Sequence, residues 1–111
     1  DWAPFTKACL ERNPVSIEKT EGMGLQKVYE WLNEMPSDSV YDGCRMASPD
    51  EVVNYSTGDG AEKAFVLANI IKDRDPGRKI EIHIDGADVV VKAGEQYRFT
   101  SAKGLDKQLV V

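Results

Sequence analysis

The chain has 111 residues, 14 of them basic and 19 acidic, for a net charge of −5 and a hydrophobic fraction of 41%. That length suits a single domain spanning 1–111, and an acidic chain with scattered lysines and arginines excludes the basic footprint that binds nucleic acid. No apolar run approaches the length of a membrane-spanning helix, so no membrane insertion is expected.

From the amino terminus, Thr6 to Leu10 reads as a short helix with Phe5, Ala8 and Cys9 on one face, ended by Asn13-Pro14. Val15 to Lys19 alternates and predicts a strand. Gly24 to Met35 is amphipathic: Leu25, Val28, Tyr29, Leu32 and Met35 share a stripe, and Pro36 ends the helix. Val40 to Cys44 is a loop. Ser48-Pro49-Asp50-Glu51 carries a helix start, with Ser48 as cap, Pro49 in the first turn and Glu51 closing a capping box. That helix is short, because Asn54 and Ser56-Thr57-Gly58 follow it. Asp59 and Glu62 form a second capping box. Beyond them Ala61 to Ile71 contains only Glu62, Lys63 and Asn69 as polar residues, which predicts a central buried helix over about 60–73.

The last third predicts an antiparallel meander over about 79–111. Asp85-Gly86 suits a two-residue hairpin turn, pairing Ile84 with Ala87, Ile82 with Val89 and Ile80 with Val91. A three-residue loop ending on Gly94 then pairs Val89 with Tyr97 and Ala87 with Phe99. Lys103-Gly104 turns the chain again into a last strand, Lys107 to Val111. Helices followed by a meander with one apolar face make an α+β domain, the buried helix packing on Ile80, Ile82, Ile84, Val89 and Val91.

The segment Tyr55-Ser56-Thr57-Gly58-Asp59-Gly60-Ala61-Glu62-Lys63-Ala64, running into the apolar helix, resembles the nucleophile helix of the transglutaminase-like (papain-like) cysteine enzymes, roughly Gly-Asp-Cys-Glu-Asp-Lys-Ala. The resemblance covers about the last half of the chain and implies a helix packed on an antiparallel sheet. Its departures are consistent. The cysteine position holds Gly60, the histidine position falls at Asp85 to Asp88, and the aspartate position falls at Thr100 or Ser101. Nucleophilic catalysis needs a thiolate and a base, and glycine supplies neither. The resemblance therefore implies a relative without the triad: an interaction module for a protein, peptide or glycan, with Tyr55, Asp59, Gly60 and Ala61 as binding residues and no cofactor.

The hairpin register also predicts a polar ladder, with His83 opposite Asp88 and Asp88 opposite Arg98, flanked by Glu81. A solvated charge ladder is the ordinary reading of such a face. The alternative is a small thiol enzyme, hydrolase or acyl transferase, with Cys44 as nucleophile, Arg45 lowering its pKa, and His83 and Asp88 as base and orienting carboxylate. His83 is the single histidine, which excludes a histidine-rich metal site. Cys9 and Cys44 suit two free thiols or one disulfide, and neither a disulfide framework nor a zinc site. Trp2, Trp31, Tyr41 and Tyr55 are expected in packing or along a groove. The chain opens on Asp1, as a processed piece of a larger multidomain protein would, and no compartment is readable from it.

Overall fold

The computed structural model describes residues 3–11, 14–43 and 45–111. The expected break at Asn13, the packing of Trp2 and the nucleophile candidate Cys44 lie outside them. Among the described residues five helices precede a two-stranded antiparallel ribbon, so the domain is α+β.

Helix α1 (Ala3–Glu11) turns Phe5 edge-on to Phe65, with ring centroids 5.1 Å apart, and buries Cys9. The segment expected as a strand is instead helix α2 (Pro14–Lys19). Apolar and polar residues alternate there, but Val15 and Ser16 give their first-turn amides to the Asp50 carboxylate, at 3.3 and 2.9 Å. Among the described residues the segment packs on α4 and α5 rather than beside a strand, so a distant carboxylate satisfies its donors as a cap would.

Helix α3 (Leu25–Glu34) buries Val28 and Leu32, and Met35 follows as its buried C-cap. Tyr29, on the same stripe, packs on the core edge-on against Tyr97 and Phe99, 5.2 and 5.3 Å away, and its hydroxyl donates to Arg98 O. Helix α4 (Pro49–Tyr55) carries the full Ser48/Glu51 capping box. Helix α5 (Gly60–Arg74) is buried on every side from Gly60 to Ile71. Twelve consecutive buried residues place it at the centre, with the other helices on one side and the ribbon on the other.

The ribbon consists of β1 (Glu81–Ala93) and β2 (Glu95–Val110). Ile80, Ile82, Ile84, Val89 and Val91 are all buried against α5, the alternation changing phase between Ile84 and Val89 at an irregularity in the pairing. The meander itself is not formed. Asp85-Gly86 makes no hairpin: Gly86 takes a left-handed φ of 60°, yet β1 runs on, and Ile82 and Ile84 pair with Leu109 and Lys107 of β2. The single reversal is at Gly94 (φ 89°), where Ala93 faces Glu95 and Val89 faces Phe99, two residues from the expected register. Lys103-Gly104 does not turn the chain either. Between the Asp88↔Thr100 and Gly86↔Leu105 pairs β2 carries residues 101–104 against Ala87 alone, a bulge that bends the ribbon.

Candidate functional site

The sequence directs attention to the start of α5, and the structure fills it with polar contacts. Asp59 is the N-cap, with extended backbone. Its Oδ2 accepts from Ala61 N at 2.9 Å and from Ser101 Oγ at 2.6 Å, and its Oδ1 from Ala102 N at 2.7 Å. Glu62 completes the box. Its Oε1 accepts from Asp59 N at 2.8 Å, and its Oε2 from Ser39 Oγ at 2.7 Å and Ala47 N at 2.6 Å. Both carboxylates are buried, 2% and 0% exposed, so each rests on at least three donors and the positive end of the helix dipole. Between them they tie the ribbon bulge and the 39–47 loop to one turn of helix.

Gly60, in the position of the expected nucleophile, is closed. A Cβ there would lie 2.1 Å from Thr100 O and 2.5 Å from its carbonyl carbon. The absent side chain is what lets the ribbon backbone reach the helix. Thr100 is itself the ribbon partner of Asp88, so Gly60, the 85–88 segment and Thr100-Ser101 are adjacent in space. Lys63, one residue beyond Glu62, is also buried. Its Nζ donates to Met35 O at 2.9 Å, the carbonyl at the end of α3. Burial lowers its pKa, while the Asp59 charge acts in the opposite direction.

Of the four expected binding residues, Asp59, Gly60 and Ala61 are therefore buried and engaged within the chain, and only Tyr55 is open, at 65% exposure. The polar ladder is not assembled. The observed register sets His83 opposite Gln108, Asp88 opposite Thr100 and Arg98 opposite Val90. The carboxylate near His83 is that of Glu81, with Nε2 to Oε1 at 3.9 Å, rather than Asp88. Arg45 lies over the Tyr41 ring, 4.0 Å from its centroid, and the Tyr41 hydroxyl donates to Glu51, which raises its pKa. Cys9 is a free, buried thiol pushed up to about 12 by burial, the opposite of a nucleophile. Among the described residues no group of three or more His, Cys, Asp and Glu side chains is placed to hold a metal. No helix there is long and apolar enough to cross a membrane.

Ser39, Thr100, Ser101 and Lys103 complete this cluster; the sequence offered Thr100 and Ser101 only as the position of an absent aspartate and Lys103 only as a turn residue, and did not single out Ser39. Ser101 meets Asp59 across 42 residues, and no local signal announces such a contact. Open space lies elsewhere. A groove of about 620 Å³ runs between the start of α3 and the ribbon tip, lined by Leu25, Gln26, Arg78, Ala93, Glu95 and Tyr97. A second, of about 450 Å³, lies between the α2–α3 turn and the end of α5.

Comparisons of the chain with protein-family models, with curated proteins and with solved structures return no match.

Proposed function

We propose that this chain is a non-catalytic, transglutaminase-like domain that serves as an interaction module for a protein, peptide or glycan. The observation that carries the reading is the closure at Gly60. The three positions that the resemblance assigns to nucleophile, histidine and aspartate lie side by side, but Thr100 backbone fills the space a thiol and its substrate would need. The neighbouring carboxylates spend their lone pairs on loop amides and hydroxyls, a structural use. The interaction surface is then the tip groove, whose volume falls in the ~300–1,000 Å³ range of ligand pockets and whose lining mixes Leu25, Ala93 and Tyr97 with Arg78 and Glu95. The thiol-enzyme alternative draws less support, since His83 pairs with Gln108 and lacks the Asp88 partner that would orient it.

Two measurements on one preparation test this. Hydrolysis of p-nitrophenyl acetate and amine incorporation into a glutamine peptide are expected at the buffer rate for the wild type, Cys44→Ala and His83→Ala alike. Turnover that disappears in either variant establishes the thiol enzyme instead. Amide shifts of the ¹⁵N-labelled protein are expected at Leu25, Gln26, Ala93 and Glu95 with extended peptides or with chitohexaose. Silence with both withdraws the groove.

A further inference from the structure

The bulge of β2 does more than accommodate Gly60: it aims Lys103 into the 39–47 loop. Lys103 Nζ donates to Tyr41 O at 3.2 Å, Gly43 O at 2.9 Å and Arg45 O at 2.5 Å. An ammonium has three N–H donors in a tripod, and three carbonyls from alternate residues of one loop converge to meet them. The ends of this loop are fastened separately, Ser39 Oγ and Ala47 N to Glu62. Between those ends, no backbone–backbone hydrogen bond is made by a described residue of 40–46. Tyr41 N donates to Ser39 Oγ at 3.1 Å, and the carbonyls of Tyr41, Gly43 and Arg45 are gathered by one charged group from a strand about 60 residues away in sequence. The base of Lys103 is fixed in turn: its N–H donates to Ser101 Oγ at 3.2 Å, and Ser101 is bound to Asp59.

We propose that Lys103 is a charge-dependent latch on the backbone of Tyr41, Gly43 and Arg45, and that Nε-acylation of Lys103 is the modification that opens it. In that step the ammonium first gives one proton to water, and the freed amine lone pair forms a C–N bond to the carbonyl carbon of an acyl thioester. The C–S bond breaks, thiolate leaves, and the nitrogen gives up a second proton to water. The product is a neutral amide with one N–H where three carbonyls need donors, so two are released to solvent. The bond thereby freed is Arg45–Met46. In the latched state Arg45 is exposed, but its carbonyl is held by Lys103 and its side chain lies on the Tyr41 ring, so the main chain is not free to take the extended form a protease binds.

The test uses the whole chain with an arginine-specific protease, following by mass spectrometry the cuts after Arg45, Arg74 and Arg98. Protein carrying Nε-acetyl-lysine at 103, and the Lys103→Gln variant, are each expected to be cut after Arg45 at least tenfold faster than wild type. Their rates after Arg74 and Arg98 should stay within twofold. Amide exchange at 41–46 should accelerate in parallel. An unchanged rate after Arg45 overturns the latch. Equal acceleration at all three sites overturns it as well, because Lys103 would then support the whole fold rather than the loop.

Discussion

Replacing Gly60 with alanine adds a single methyl group at the first turn of α5. Judged by helix propensity the change is favourable, worth up to about 1 kcal/mol. The structure predicts the reverse. The new Cβ would stand 2.1 Å from Thr100 O, where ordinary contact begins at 3.4 Å, and the opposing atoms are backbone that no rotamer change removes. Thr100 must retreat, and Ser101 and Ala102 retreat with it from Asp59, at 2.6 and 2.7 Å. Hydrogen bonds to a charged group contribute about 1.5–3 kcal/mol each, so weakening both and subtracting the propensity gain leaves a loss of about 2–5 kcal/mol. At roughly 4 °C per kcal/mol for a domain near this size, Tm falls by about 8–20 °C. Urea unfolding and a thermal scan read both quantities. A Gly60→Ala variant as stable as wild type, or more stable, would refute the argument and reopen position 60 as a site with room for a side chain.

Burial lifts the Cys9 thiol to about 12, so at pH 8 its thiolate is scarce and shielded. Iodoacetamide is expected to label Cys9 only at the rate of unfolding, and peptide mapping that finds it modified within minutes in native buffer would contradict the burial. Lys63 gives a pH signature. Its folded pKa is depressed below 10.5 by burial, so the native state binds fewer protons than the unfolded chain between the two values. Its contribution is fully present above 10.5 and is lost as pH falls through the folded value. The stability of wild type relative to Lys63→Met should therefore rise with pH on approaching 10.5, as measured by urea unfolding at pH 7, 8.5 and 10. A flat difference would show that Lys63 is solvated.

Elements with a local cause were legible in the sequence. The two capping boxes, Ser48/Glu51 and Asp59/Glu62, need only residues three apart, and both formed. The run from Ala61 to Ile71, in which only Glu62, Lys63 and Asn69 are polar, permits no solvent-facing side, which fixes α5 at the centre. The period of two within 80–84, and again within 89–91, assigned Ile80, Ile82, Ile84, Val89 and Val91 to the buried face, with the phase changing at the Gly86/Asp88 irregularity. It could not assign their partners, because a shift of two residues keeps every side chain on its face. That is why the expected register at Gly94 was displaced by two, and why Asp85-Gly86 was available either to reverse the chain or only to bend it. Tertiary packing decided between these, since the paired 81–86 and 105–110 segments cover α5 in two long strands instead of short ones. Val15 to Lys19 shows the same limit. Its alternation suits a strand, but Asp50, 34 and 35 residues away, supplies the acceptors that make it helical. The site divides along the same line. Glycine in the nucleophile position is written in the sequence, whereas its closure by Thr100 and the reach of Lys103 into the loop depend on a bulge that exists only once both strands pack against α5. Short-range hydrogen bonding and hydrophobic period are properties of a segment; the partner of a strand, and the group that meets a buried charge, are set by the rest of the chain.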